Sequence, residues 1–405
     1  MALHETAAVL AGDTLRGAAE LMTHGVPGPV AAAYAAADSW VESVEPVQIT
    51  WRPGRSLTVR YRVIGHGLLE GDRQVVAIIG DIPEGALVVE GPESAVGIWV
   101  VPHDPLLPGL VSALDVPAVE RLLASLGATK PVQRVRLRSY RPGRRGVVEV
   151  EADGSSIYLK VVPPAEVAAL HSKHRHLSAQ MPVPDSLGFS RELGIVVMRA
   201  LPGSSLRAVL KQNSPELPAA AAIAALLDSL PDPPDDAVVP SPMARAARVT
   251  QLLFHIVPDE RGRLEEIVGE IGSEPDADRV PVHGDFHEAQ ILMMGTRPTG
   301  LIDVDGYGWG HLGDDPATML GHLDMLAPSC PHPKAVLGFA HHLNRIWDRI
   351  VDPVDLRRRT AAVILGLATG PFRVQLANWP EATRHRIDSA VQWLESSRSI
   401  GGSGS

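Results

Sequence analysis

Near Ser204 the spacing of apolar residues changes from two to three or four, and no other feature constrains the fold as strongly. Before that point short runs alternate apolar with polar residues: Val47-Gln48-Ile49-Thr50-Trp51, Leu57–Val63, Arg73–Ile79 and Ile98–Val101. Gly and Pro punctuate them, which predicts antiparallel strands. The first forty residues differ, with Leu10, Leu15, Ala18 and Leu21 at helical spacing and an alanine tract at Ala31–Ala37, so two helices are expected there. Pro117–Leu126 is also helical in pattern. Further strands are expected at Ser155–Val162, Ser186–Phe189 and Gly194–Met198, with a helix that opens after Pro163-Pro164 and runs to about Ala179. Residues 199–203 read as a link. Beyond Ser204 the pattern is helical, broken by Pro231–Asp236 and by β-like patches at Gln290–Met294 and Gly300–Val304. The expected class is α+β: sheet, link, then helical bulk enclosing a small hairpin.

One motif recurs inside the sheet-forming part. Trp51-Arg52-Pro53-Gly54-Arg55 is echoed by Tyr140-Arg141-Pro142-Gly143-Arg144, each between candidate strands. Pro followed by Gly makes a good turn on its own, but five matched positions suggest two related strand–turn–strand units. The first lacks a counterpart of Lys160, since Arg73–Ile79 is apolar at its centre. It is expected to be a cap that extends the sheet.

Composition narrows the function. With 37 Lys and Arg against 47 Asp and Glu, the net charge of −10 argues against nucleic acid as the main partner. The single cysteine, Cys330, excludes an intrachain disulfide framework and Cys-rich zinc modules. The longest apolar run, Ala219–Leu227, is far short of the roughly 20 residues that span a bilayer. The start Met-Ala-Leu-His-Glu has neither the basic region nor the apolar core of a signal peptide, so a cytoplasmic location and no membrane partner are expected. The Gly/Ser tail 401–405 reads as an appended linker.

The segment with the clearest chemistry is Val282-His283-Gly284-Asp285-Phe286-His287-Glu288-Ala289-Gln290, followed by Ile302-Asp303-Val304-Asp305-Gly306. Asp303 and the Gln290 amide oxygen are hard ligands of the kind Mg²⁺ prefers. Asp285 is then free to accept a proton from an attacking hydroxyl or to orient it. His283 is expected to brace the loop, Asp315 to cap a helix ahead of Pro316, and Glu288 and Asp305 to be solvated acids. Asp303-Val304-Asp305-Gly306 is no calcium loop, because glycine comes at the fourth position instead of the sixth. A zinc pair of His283 and His287 is disfavoured by Gly284 between them and by loop-forming neighbours.

The pattern resembles the catalytic loop and metal segment of the aminoglycoside phosphotransferase and choline-kinase-like family, relatives of the protein kinases. The resemblance covers about Arg134 to Leu326 and includes Gly308 and Asp315-Pro316-Ala317. Gln290 stands where most members have Asn, which is similar to the maltokinase and glucosamine-kinase branch. The resemblance implies a bilobal protein-kinase-like fold with an added N-terminal cap domain. The cap is expected over 1–130, a nucleotide-binding lobe over 131–200, and a helical lobe over 201–400 with the catalytic loop and substrate site. It implies an ATP- and Mg²⁺-dependent kinase acting on a hydroxyl of a sugar, aminosugar, aminoglycoside or related molecule. Lys160 would contact the α- and β-phosphates, with Glu166 as its ion-pair partner. The turn holding Arg141 and Gly143 would cover the phosphates through backbone amides, and Met198 and Ala200 would pair with the adenine edge. Gln290 and Asp303 would hold magnesium, and Asp285 would be catalytic. The alternative is a catalytically silent kinase-like module that binds nucleotide or a partner.

Overall fold

The alternating segments fold into two separate antiparallel sheets of one design. In the computed structural model, which describes residues 2–91, 93–128 and 131–401, the first sheet comprises β1 (Ser39–Arg52), β2 (Ser56–Gly67), β3 (Gly71–Ile79), β4 (Leu87–Glu90) and β5 (Ala95–Val100), in the order β1-β2-β3-β5-β4. The second comprises β6 (Val132–Arg141), β7 (Arg145–Ala152), β8 (Ser155–Val161), β9 (Ser186–Ser190) and β10 (Ile195–Arg199), in the matching order β6-β7-β8-β10-β9. Alternation sets the faces: Leu57, Val59, Tyr61 and Val63 of β2 are buried while Arg62 points to solvent. The first strand–turn–strand unit was expected to extend the second sheet; it instead forms a separate sheet. Each ladder is complete by itself, and the sheets meet through side chains, with Val76, Ile78 and Trp99 of one sharing a core with Tyr140, Val148 and Leu159 of the other.

The recurring turn is a true structural repeat. Trp51 pairs with Leu57 and Leu57 with Ile79, while Tyr140 pairs with Gly146 and Gly146 with Val161. Gly54 and Gly143 both have left-handed φ, 68° and 65°, which glycine adopts without steric cost. Each turn is closed from Arg to Arg: Arg55 N–H donates to the Arg52 carbonyl and Arg144 N–H to that of Arg141, both at 3.0 Å. Each is also tied down by a distant aspartate. Asp13 accepts from Gly54 N–H at 2.7 Å and from Trp51 Nε1–H at 2.8 Å. Asp104 accepts from Gly143 N–H at 2.7 Å and from the Tyr140 hydroxyl at 2.6 Å.

The chain forms two compact units. The described residues of 1–171, 186–199 and 370–381 make one and hold both sheets; those of 172–185, 200–369 and 382–405 make the other. The tail residues 402–405 lie outside the described residues. The second unit is mainly helical, and local signals start its helices. Ser241 accepts from Ala244 N–H at 3.0 Å ahead of Pro242, and Asp352 from Asp355 N–H at 2.8 Å ahead of Pro353. Inside it lie β11 (Ser204–Ser205), β12 (Val280–Val282), β13 (Ile291–Met294), β14 (Arg297–Leu301) and β15 (Gly308–Gly310), with β13 between β11 and β14 and β12 paired with β15. The expected patch at 300–304 is thus a strand that ends at Leu301. The hairpin packs Phe286, Ile291, Leu301 and Val304 against Leu320, Leu323 and Leu343. Deeper still, Arg359, 1% exposed, holds Asp314 at 2.6 Å, Asp355 at 2.7 Å and Glu274 at 3.2 Å. These three acids provide the compensation that a buried cation requires.

Candidate active site

The loop 283–290 leaves β12 and returns into β13, and its first two residues are held from outside. His283 N–H donates to Asp315 Oδ2 at 2.6 Å and Gly284 N–H to Oδ1 at 3.0 Å. Asp315 is therefore not the helix cap expected from its place before Pro316. The helix Asp314–Leu326 has Gly313 at its N-cap, and the Asp315 carboxyl points back to the loop. Burial pushes the Asp315 carboxyl up to about 7 against the lowering effect of those two N–H donors. Gly284 has φ 81°, and a Cβ there would lie 2.6 Å from the Gly306 carbonyl oxygen, so no side chain fits.

His283 braces the loop, as the sequence suggested. The Asp285 N–H can only donate, so Nδ1 accepts it at 3.3 Å; the Ile302 carbonyl can only accept, so Nε2–H donates to it at 3.1 Å. Burial lowers the pKa of this fully enclosed imidazole and keeps it neutral. Both ring nitrogens are committed, so the ring ties the residue before Gly284 to the strand end just before Asp303.

Asp285 is half-exposed, with its Oδ2 3.7 Å from His287 Nε2. Desolvation opposes its charge. The nearby imidazole of His287, then those of His322 and His283, outweigh that and hold the carboxyl well below the usual carboxylate range. The His287 and His322 rings stack in parallel with centroids 4.1 Å apart, and burial pushes His322 down to about 4. Asp285, His287 and His322 together could reach one metal ion, but two nitrogens and one oxygen are a poor donor set for magnesium. Gln290 and Asp303, the expected magnesium ligands, each carry a hard side-chain oxygen. They flank the mouth of the β13–β14 hairpin, where Ile302 N–H donates to the Gln290 carbonyl at 2.9 Å. Asp303 has a left-handed backbone, φ 58° and ψ 44°, a strained conformation for a non-glycine residue. The Gln290 amide nitrogen lies 3.2 Å from His287 Nε2.

Two further acids depart from expectation. Glu288 is fully buried, because Arg207 Nε pairs with it at 2.7 Å. The Asp305 carboxylate is only partly exposed, with one oxygen 3.9 Å from Nε2 of the buried His174, and its backbone carbonyl accepts from Lys173 Nζ at 2.7 Å. Beside Asp285 opens a cavity of about 240 Å³, lined also by Arg245, Thr318, His322 and Gly366.

The expected nucleotide residues fall on the second sheet. Lys160, 4% exposed, is on β8, paired with Val147 of β7 and Val196 of β10. Met198 on β10 belongs to a small apolar cluster with Val162, Val167 and Val196, and Ala200 follows the end of that strand. Arg141 and Gly143 are in the β6–β7 turn, but the Gly143 N–H is given to Asp104 and is not open to a phosphate. Glu166 does not pair with Lys160. It sits exposed in the turn before the helix Val167–Ser178, which begins after it, and makes no side-chain ion pair among the described residues.

The sequence model of a family described as "Phosphotransferase enzyme family" matches residues 137–350. A comparison with curated proteins finds no match. Among solved structures, a thermostable mutant of aminoglycoside phosphotransferase APH(4)-Ia is 15% identical with a TM-score of 0.49, the alignment covering 67% of this chain and 97% of that one. Aminoglycoside-3'-phosphotransferase of type VIII is 22% identical with a TM-score of 0.43, over 61% and 98%. Aminoglycoside phosphotransferase APH(3'')-Id from Streptomyces rimosus is 21% identical with a TM-score of 0.43, over 62% and 99%.

Proposed function

Because this chain belongs to the phosphotransferase enzyme family, matched over just more than half its length, we propose that it transfers the γ-phosphoryl group of ATP to a hydroxyl of a small molecule. The observation that carries this reading is Asp285: an ionised, half-exposed carboxylate on a loop fixed at both preceding amides, opening onto a cavity. The acceptor oxygen attacks the γ-phosphorus, the bond to the β–γ bridging oxygen breaks, and ADP leaves. Asp285 orients the hydroxyl and takes its proton. Such catalysis is positioning and charge compensation, which few side chains can supply.

Gln290 and Asp303 would hold magnesium, since both offer hard oxygens at one hairpin mouth. When bound, the ion neutralises charge on the β- and γ-phosphates. Lys160 is assigned to the α- and β-phosphates on the resemblance of its strand, and Met198 and Ala200 to the adenine edge. Glu166 is left without a role. The Arg141–Gly143 turn would act through its shape, since Asp104 already takes the Gly143 amide.

The cavity speaks to the acceptor. At about 240 Å³ it is below the roughly 300–1,000 Å³ usual for drug-sized ligands. It offers one acid, Asp285, and one cation, Arg245. That lining suits a neutral or singly charged sugar or aminosugar better than a polycationic aminoglycoside, whose several amines need several acids. Replacing Asp285 by Asn tests the proposal with a phosphate-release assay over sugars, aminosugars and aminoglycosides. Turnover should fall about 10³-fold or more while ATP affinity stays within a few-fold. Equal losses of affinity and rate would overturn the assigned role. ATP binding by the unaltered protein with no turnover over the whole panel would favour the silent module.

A further inference from the structure

We propose that the first sheet carries a ligand site of its own, for a small phosphate-bearing anion, in a cavity of about 310 Å³ that faces the second turn. The proposal does not depend on the kinase reading. It comes from the repeated turn, which catalysis leaves unexplained. Pairing sets the equivalence: Ile78 pairs with Thr58 and Gly97, as Lys160 pairs with Val147 and Val196. Ile78 therefore stands where Lys160 stands, and the cavity covers the face of the first sheet that corresponds to the lysine-bearing face of the second.

The lining is a binding surface of a different kind. It includes the hydroxyls of Thr50, Ser56 and Thr58 beside the apolar side chains of Ile78, Trp99 and Leu106. Around these lie Arg52, Arg141, Arg144 and Arg373. The lining's acid, Asp81, is contacted by Arg55 at 2.8 Å and by Arg52 at 3.9 Å. Besides Arg52, which faces Asp81, the lining holds Arg144 and Arg373, so cations outnumber acids in it although the chain's net charge is −10. Guanidinium forks match phosphate oxygens two at a time, and hydroxyls serve either a phosphate or a sugar ring. The cavity therefore fits inorganic phosphate or a phosphorylated monosaccharide.

The test is calorimetric titration of the full chain, saturated with a non-hydrolysable ATP analogue, with inorganic phosphate, glucose 6-phosphate and glucose. The double variant Arg52→Gln/Arg373→Gln changes two exposed side chains outside the proposed catalytic groups. Saturable binding of a phosphorylated probe, weakened at least about tenfold in the variant and by added salt, is the expected result. Tighter binding of glucose 6-phosphate than of phosphate would identify a sugar phosphate as the ligand; equal binding would identify phosphate alone. Failure of both phosphorylated probes to bind, or equal binding by the double variant with its melting temperature unchanged, would overturn the site. Should the variant melt early, Thr58→Val supplies the same comparison without altering charge.

Discussion

The two sheets share strand order, register and an aspartate-anchored turn, yet only the second has a buried lysine on its third strand; the first has Ile78 there. A scaffold and its chemistry can thus be separated by one side chain. The parts they share (turn glycine, aromatic, aspartate) hold a hairpin in shape. The part they do not share would decide whether a nucleotide is gripped. If so, the two sheets should respond alike to changes in the common parts and differently to changes at the divergent one.

The largest contrast is expected at that divergent position. Lys160→Ala should lower kcat/KM by about 10²–10³-fold, whereas Ile78→Ala should leave kcat/KM within about twofold while costing about 2 kcal/mol of stability. Steady-state kinetics and urea denaturation read both. Activity retained without Lys160, or an equal loss without Ile78, would break the distinction. A smaller effect is expected at the shared anchors. Asp104→Ala should cost about 2–3 kcal/mol because it strands the buried Tyr140 hydroxyl and an amide, and Asp13→Ala about 1 kcal/mol because its surroundings are wetter. The reverse order in denaturation curves would show that the anchors are not equivalent. Smallest are the turn glycines. Gly54→Ala and Gly143→Ala should each cost about 1 kcal/mol for the left-handed backbone, slightly more at 143, where a Cβ would meet Leu106 at 3.0 Å. A thermal melt that leaves either variant unshifted would remove the strain argument at that turn.

Much of this was legible because it is local. Aromatic, proline and glycine fix a turn by their own geometry, so the echo of Trp51–Arg55 in Tyr140–Arg144 survives as a motif. Asp13 and Asp104 act 41 and 39 residues away from the glycines they hold, and no local pattern announces such a partner. Glu288 looked solvated because acids in loops usually are; Arg207, 81 residues away, pairs with it and makes its burial tolerable. Asp315 before Pro316 had the form of a helix cap, but the helix had already begun at Asp314 and its carboxyl was drawn to two loop amides. The edge strand Leu87–Glu90 showed no usable alternation, since three of its four residues are exposed. Asp285, Gln290 and Asp303 stood out for the opposite reason, being close in sequence and spaced by one hairpin.

Asp315 and its neighbour Asp314 give the first turn of one helix two unlike duties. One acid grips the amides that precede Asp285, and the other is clasped by Arg359, which reaches on to Asp355 and Glu274. The alignment of the half-exposed Asp285 carboxylate thereby becomes a matter for a cation sunk in the interior and remote in sequence. Lesions along the helix Pro353–Ala368 would then surface in an assay as slow chemistry, and a survey of inactive variants would mistake a foundation for a catalyst.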